Sequence, residues 1–279
     1  MLFLKANPDP YGRFGHQTCN ILSAYLLSKI AGVDFYPERY TFVSKSFNKI
    51  IDWKRITYRH DQLFSYRHYL EDILPIHLEQ FTISSSITLK YYLEAIKISQ
   101  ENYKENTLLE LPFGLMTGIL DNILHFHLGE LRKIYISRST IAANRISIHL
   151  RRGDASQANR LLVSEELQQQ KIHYIINNRL PVDIPIHILT QENDPYKLRY
   201  ITDGIDHKRL TMHLEPGDFL NNLTEIEHFN FMANSKYLII GKSAFSRLAG
   251  LLGSCKNVYE IADSDTNTKN SRALGIQII

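Results

Sequence analysis

A short apolar strand that ends in a cluster of charged residues constrains the fold of this chain more than any other feature. Residues 146–150, Ile-Ser-Ile-His-Leu, alternate apolar and polar side chains. This period of two, carried by β-branched and aliphatic residues, predicts a β-strand. The strand runs directly into residues 151–154, Arg-Arg-Gly-Asp. Open α/β sheets bind ligands at the carboxyl ends of their strands, so the charge lies where a ligand site is expected.

The arginine pair indicates a negatively charged ligand. A guanidinium group is always charged, and its planar fork holds phosphate oxygens in a bidentate way. A solvated loop with a surface ion pair would also account for residues 151–154 when they are considered alone. The choice between these two interpretations depends on what the other strand ends carry.

The second half of the chain alternates strand patterns with helix patterns. We predict strands at 185–190, 210–214, 236–240 and 258–261, with a helix beginning near Ser164 and others over 223–233 and 243–252. This alternation predicts an α/β fold in which helices cover both faces of a parallel sheet. A chain of 279 residues is long enough for two domains of ordinary size.

The amino-terminal residues predict a second unit of the same kind. A strand over 2–6 is followed by a loop with Gly12 and Gly15, by a helix that ends at Gly32, and by a strand over 33–36. Loop glycines let the backbone approach a ligand, and a helix N-terminus presents free N–H groups, although an ordinary turn would have the same sequence. Residues 45–138 predict mostly helix.

Composition excludes several classes of protein. Hydrophobic residues make up 44% of the chain and the net charge is only +3, which indicates neither disorder nor a broad nucleic-acid surface. Cys19 and Cys255 form no C-x-x-C pair, so we expect reduced thiols. No signal peptide and no apolar run of membrane-spanning length is evident. These observations predict a cytoplasmic protein and leave peripheral contact with the inner face of the cell membrane open.

Three strand-end blocks occur together in one order. They are Gly12-Arg13-Phe14-Gly15-His16-Gln17, the His149-Leu150-Arg151-Arg152-Gly153-Asp154 block, and Lys242-Ser243-Ala244-Phe245-Ser246 at a helix start. In this order and spacing they resemble the fucosyltransferases of the H-x-R-R-x-D superfamily, which includes bacterial α-1,2-fucosyltransferases and protein O-fucosyltransferases. The resemblance spans most of the chain, but only these blocks are specific.

The resemblance implies the GT-B fold, in which two Rossmann-like domains face each other across a cleft. Here they would be an acceptor-side domain with a helical insertion over 1–140 and a nucleotide-sugar-binding domain over 141–279. The implied donor-binding residues are Gly12, Gly15, His149, Arg151, Arg152, Glu227, Ser243 and Ser246, and the implied catalytic residues are His16, Arg151, Arg152 and Asp154.

Individual roles also follow from the resemblance. His149 matches the histidine near the nucleotide, and Arg151 and Arg152 match the arginines that hold the diphosphate. Asp154 matches an aspartate that orients an arginine. Glu227 falls where relatives carry an acid that accepts guanine N–H groups, and it is Glu where they have Asp. Ser243 and Ser246 match small polar residues near phosphate and ribose.

His16 departs from the family pattern, in which this loop position is asparagine. Histidine titrates in the range that a base for the attacking hydroxyl needs. Alternatively, His16 caps or packs the loop as asparagine would. Glu165, Glu166 and Asp154 are reserve candidates for the base.

The resulting hypothesis is an inverting glycosyltransferase that moves fucose from GDP-fucose to a hydroxyl of a glycan acceptor, in bacterial surface polysaccharide synthesis. The two arginines supply the positive charge that a metal would otherwise provide, so no metal and no cofactor are expected. The expected partners are the GDP-sugar donor and a glycan acceptor, with a lipid carrier left open, and no nucleic acid. Two alternatives remain: another donor such as GDP-mannose, and a non-catalytic protein that binds GDP-sugar or glycan.

Overall fold

The computed structural model describes residues 1–6, 14–36, 66–69, 85–103, 106–111, 127–135, 138–151, 163–192, 194–214, 225–241, 243–262 and 275–279. The chain divides into two compact units, Met1–Ile136 and Ser137–Ile279. Each unit contains a parallel β-sheet with helices, so the predicted α/β class is confirmed.

The first unit is built on a parallel sheet of four described strands. They are β1 (Leu2–Ala6), β2 (Asp34–Phe35), β3 (Tyr66–Tyr69) and β4 (Thr107–Leu111), in the order β2-β1-β4-β3. The described helices are α1 (Phe14–Ala31) and α2 (Ser85–Asn102), and residues 127–134 are also helical. The predicted opening of strand, helix and strand is confirmed.

Helix α1 is buried along most of its length, from Gln17 to Ser28. Two of its buried serine hydroxyls are satisfied within the helix, because Ser23 Oγ donates to the carbonyl of Cys19 and Ser28 Oγ donates to the carbonyl of Tyr25, each at 2.7 Å. The helix ends as predicted at Gly32, whose φ of 68° is left-handed.

Two strands, β3 and β4, lie in the region that the sequence predicts to be mostly helical. Strand β4 reads Thr-Leu-Leu-Glu-Leu and is buried at every position, so it has no polar alternation. A short apolar run of this kind does not distinguish a buried strand from a buried helix. The prediction is therefore wrong for these two segments.

A buried ion pair joins the two central strands of this sheet. Lys5 of β1 lies opposite Glu110 of β4 in the strand register, and Lys5 Nζ is 3.3 Å from Glu110 Oε2. Both side chains are about nine-tenths buried. Removing two charges from water is costly, so each charge depends on the presence of the other.

The second unit contains a six-stranded parallel sheet, in which the described order is β10-β9-β8-β5-β6-β7. The strands are β5 (Ala143–Leu150), β6 (Ile186–Thr190), β7 (Leu210–His213), β8 (Ser235–Ile240), β9 (Asn257–Glu260) and β10 (Gln277–Ile278). The chain proceeds outward from β5 through β6 to β7, and then returns to β8 on the other side of β5. The winding direction therefore reverses between β5 and β8.

Helices cover both faces of this sheet, as predicted. They are α3 (Glu165–Arg179), α4 (Arg199–Thr202), α5 (Glu225–Ala233) and α6 (Ala244–Leu252). Helix α3, capped by Ser164, packs Ile172 and Ile175 with Ile146 and Ile148 of β5 in one apolar core. Helices α5 and α6 lie against the opposite face.

A polar network fixes α5 to the sheet. Arg145 of β5 donates from Nε to Ser235 Oγ at 3.0 Å and from Nη2 to the carbonyl oxygen of Phe231 at 2.9 Å. Its guanidinium carbon lies 3.4 Å from the centre of the Phe231 ring. Ser147 and Ser235 share a further hydrogen bond of 2.7 Å between β5 and β8. The network joins the carboxyl end of α5 to the two strands at the reversal.

Replacing Glu110 with leucine should lower the free energy of unfolding by about 3–5 kcal/mol, because the ammonium group of Lys5 stays buried without this carboxylate. The double variant Lys5→Met/Glu110→Leu should recover most of the loss. Urea denaturation measures both. Glu130→Leu is the matched control, because Glu130 forms an exposed ion pair with Lys133; it should leave the midpoint nearly unchanged. A double variant no more stable than the single would contradict the interpretation.

Gly253→Ala should also destabilise the fold, by about 1–3 kcal/mol, because a Cβ atom there would overlap the carbonyl group of Ala233 at the end of α5. Gly129→Ala is the control, since a Cβ atom at Gly129 meets no atom within 4 Å. This helical glycine should gain about 0.5–1 kcal/mol on replacement by alanine. Thermal unfolding would show midpoint shifts of opposite sign, and shifts of the same sign would refute the prediction.

Candidate functional site

The reversal between β5 and β8 defines the candidate site. In doubly wound α/β sheets the crevice outside the strand ends opens at this point, and ligands bind there. Strand β5 ends at Leu150 and is followed by Arg151, while β8 ends at Ile240 and is followed by Gly241. The register aligns His149 with Ile240. The predicted charge cluster and the predicted serine helix start therefore begin at adjacent strand ends.

His149 is held between the two helices that cover this face. Its ring lies 5.8 Å from the ring of Phe245 in α6, and it interacts electrostatically with His228 of α5. Burial, followed by His228 and Arg151, lowers the pKa of His149 to about 3, so the ring is neutral at pH 7. Its Nδ1 atom is buried and has no hydrogen-bond partner among the described residues.

The start of α6 has unused hydrogen-bonding capacity. Ser243 occupies the N-cap position with extended backbone geometry, and its side chain makes no capping hydrogen bond. A helix N-terminus has N–H groups without intrahelical partners and carries partial positive charge, which suits an anion. Ser246 is fully buried, and its Oγ donates to the carbonyl of Ser243 at 3.4 Å. Ser246 therefore supports the turn that presents Ser243.

Helix α5 begins at the same edge of the sheet. Glu227 in its first turn is exposed, and the next residue, His228, is only 7% exposed. Burial and the neighbouring His213 lower the pKa of His228 to about 4, although the carboxylate of Glu227 acts in the opposite direction. A neutral imidazole and an exposed carboxylate are thus adjacent on one helix.

Three histidines, two on strands beneath α5 and one in α5 itself, form a cluster that was not predicted from the sequence. His187 Nδ1 lies 3.1 Å from His213 Nε2, and their rings stack at 5.4 Å. The His213 ring lies 6.4 Å from the His228 ring, and Phe231 packs against both His187 and His213. In the sequence, the only indication of this cluster is a histidine on each of two otherwise apolar strands. The parallel register of β6 and β7 then brings the two histidines together beneath one helix.

Several predicted site residues lie outside the described residues. These are Gly12, Arg152 and Asp154, together with the side chain of His16, whose backbone belongs to α1. Gly15 is described and buried in α1. The reserve candidates Glu165 and Glu166 are exposed in the first turn of α3. The structure therefore brings together His149, Arg151, Glu227 and Ser243 at one edge of the second unit, with Ser246 supporting the turn.

The described residues offer no evident metal site. No group of three His, Cys, Asp or Glu side chains suited to a metal ion occurs among the described residues. The facing nitrogens of His187 and His213 are within hydrogen-bond distance of each other. The sequence does contain one pair of aspartates of the D-x-D type, Asp263 and Asp265, outside the described residues. The expectation of a metal-independent reaction therefore rests on the arginine pair in the sequence alone.

The cysteines and the helices also bear on expectations from the sequence, which were reduced thiols and no membrane-spanning segment. Cys19 and Cys255 are both free, as predicted, and Cys19 is buried. Among the helices that the structure describes, none combines the length and apolar composition that a membrane crossing requires.

Stability should fall as the pH is lowered from about 6.5 to about 4. Burial depresses the pKa of His187 to about 4, so in this window the unfolded chain binds a proton that the folded chain does not. In this pH window, His187→Gln should lower the number of protons that the chain takes up on unfolding by up to one. Denaturation at several pH values measures this. The exposed His207, replaced in the same way, is the control. If the free energy of unfolding of His187→Gln changes with pH as steeply as that of the unaltered chain, the low pKa assigned to His187 is contradicted.

Comparisons with known proteins give similarity at the level of structure. No protein-family model matches the chain, and no curated protein sequence matches it. A mutant of Arabidopsis thaliana FUT1 in complex with GDP has a TM-score of 0.51 and 9% identity, over 95% of this chain and 71% of that chain. Two structures of POFUT1 in complex with GDP have TM-scores of 0.43. The first is 14% identical over 90% of this chain and 94% of its own length. The second is 10% identical over 93% of this chain and 97% of its own length. The similarity to FUT1 shows a shared fold, and at this identity it transfers no residue roles.

Proposed function

We propose that this chain is an inverting, metal-independent glycosyltransferase that transfers fucose from GDP-fucose to a hydroxyl of a glycan acceptor in bacterial surface polysaccharide synthesis. The observation that carries the proposal is the position of Arg151 and His149 beside the uncapped start of α6, at the reversal of a doubly wound sheet. The resemblance of three sequence blocks and the fold shared with a GDP-bound FUT1 structure support the choice of donor.

The chemistry of the reaction suits these residues. Breaking the bond between the sugar and the β-phosphate leaves additional negative charge on GDP. Arg151, with Arg152 next to it in sequence, would hold the diphosphate, and the N-terminal N–H groups of α6 and the Ser243 hydroxyl would donate to its oxygens. Such fixed donors stabilise the charge as it develops. A single displacement by the acceptor hydroxyl inverts the anomeric configuration.

The neutral state of His149 also suits this site. A second full positive charge on the buried ring would be repelled by Arg151, which is one cause of its low pKa. As a neutral ring, His149 can contact the nucleotide without adding charge. In this proposal Glu227 accepts N–H groups of guanine, Asp154 orients an arginine, and His16 is the candidate base, with capping of its loop as the alternative.

The remaining parts of the proposal come from the resemblance. They are the GT-B arrangement of two Rossmann-like domains, divided near residue 140, and the peripheral location at the inner face of the cell membrane with a lipid-linked acceptor. The alternatives are a different donor such as GDP-mannose and a non-catalytic protein that binds GDP-sugar or glycan.

Arg151→Ala should reduce transfer from GDP-fucose by about 10²–10³-fold, because one fixed donor to the leaving group is lost. GDP release in the presence of a glycan panel measures transfer, and calorimetry measures GDP binding. Arg199→Ala is a matched control, since it removes an exposed arginine of α4, and it should retain full activity. Near-normal transfer by Arg151→Ala would refute the site assignment.

The same assay separates the alternatives. Release of GDP from GDP-mannose but not from GDP-fucose would indicate the other donor. Binding of GDP with no transfer to any acceptor would indicate the non-catalytic protein.

A further inference from the structure

Two buried imidazole nitrogens near the proposed donor site have no hydrogen-bond partner in the part of the chain that the structure describes. They are Nδ1 of His149 and Nε2 of His228, and neither has a hydrogen-bond partner among the described residues. Buried polar atoms in folded proteins are almost always hydrogen-bonded, because leaving one unsatisfied costs about 1–3 kcal/mol. Two such atoms on facing elements at one edge of a sheet indicate that a ligand supplies the missing groups.

His228 lies between His149 on one side and His213 on the other. It lies in the amino-terminal half of α5 and interacts electrostatically with His149 at the carboxyl end of β5. On its other side, the His228 ring lies 6.4 Å from the ring of His213, the last residue of β7. His228 therefore lies on the side of β5 that leads to β6 and β7, away from the start of α6, where the diphosphate is proposed to bind.

We propose that His228 recognises the base of the donor nucleotide by donating a hydrogen bond from Nε2–H to O6 of guanine. This inference rests on the proposed function, in which GDP is the leaving group. The outer edge of guanine presents two acceptors, N7 and O6, whereas adenine has an amino group in place of O6. A histidine that donates here distinguishes the two purines, because adenine would place a donor against a donor.

Glu227 and His228 form a complementary pair for this base. They are consecutive on α5, so their side chains leave the helix about 100° apart, and one is exposed while the other is buried. The carboxylate accepts from N1–H and the 2-amino group, while the imidazole donates to O6. The low pKa of His228, caused mainly by burial, keeps the ring neutral, so recognition depends on the direction of the hydrogen bond and not on charge.

Nucleotide-binding measurements on three proteins test the inference. Calorimetry with GDP, ADP and UDP compares the unaltered chain with His228→Phe, which keeps an aromatic ring but removes the N–H group, and with His228→Gln, whose amide N–H₂ can occupy the place of Nε2. His228→Phe should bind GDP about tenfold more weakly, as expected for one hydrogen bond. Its preference for GDP over ADP should fall by a similar factor. His228→Gln should restore most of both, and weak UDP binding should be unaltered in all three.

His173→Phe is the matched control. His173 lies in α3 on the other face of the sheet, where its Nε2 atom is 3.0 Å from the carbonyl oxygen of Ile201. The same substitution there also removes a histidine hydrogen bond and should leave the GDP to ADP preference unaltered.

The possible outcomes separate this inference from the proposed function. If the unaltered chain binds GDP and His228→Phe retains its affinity and its preference over ADP, the role of His228 is refuted while the function stands. If the unaltered chain does not bind GDP, both are refuted. If His228→Phe fails to fold, His228→Gln and His228→Asn decide the question. The amide of asparagine reaches the position of Nδ1 and not Nε2, so equal GDP preference in these two variants would overturn the inference.

Discussion

The parallel pairing of β5 with β8 is the constraint on which the rest of the second unit depends. The two strands are adjacent in the sheet although β6 and β7 lie between them in sequence. Because the winding direction reverses between them, their carboxyl ends lie at the point where sheets of this type open a crevice for ligands. Arg145, Ser147 and Ser235 reinforce this pairing, and through the carbonyl of Phe231 they also fix α5. The candidate site is a consequence of that arrangement.

Helices α5 and α6 lie on either side of β8 in sequence, so both begin at the crevice. The nitrogen atoms at their amino ends carry partial positive charge, and Arg151 adds a full charge nearby. Burial is the main reason why the adjacent histidines are neutral, and repulsion from neighbouring groups adds to it. Protonating His149 would add a buried charge beside Arg151, and protonating His228 would add one beside His213. Under the proposed function, the cationic groups would bind phosphate and the neutral rings would make hydrogen bonds that depend on direction.

The proposed activity depends on the residues of the candidate site, because the fold similarity shows the fold alone. The FUT1 structure shares the fold at 9% identity, which is too low for the comparison to indicate particular residues. The residues instead come from the sequence blocks, and the described members of two blocks occupy adjacent strand ends of the second unit. One fold can host many functions. The proposed activity is therefore supported by Arg151, Ser243 and the starts of α5 and α6, and not by the fold.

The sequence by itself determined the strand and helix pattern of the second unit, the helix end at Gly32 and the charged strand end after Leu150, because these depend on local periodicity and turn chemistry. It did not determine β3 or β4, and for β4 the reason is that a short strand buried at every position lacks polar alternation. It also did not reveal the ion pair of Lys5 with Glu110 or the contact of His187 with His213, because residues far apart in sequence meet only through strand order and register. Only the tertiary structure decided those neighbours, and with them which histidines are buried and neutral.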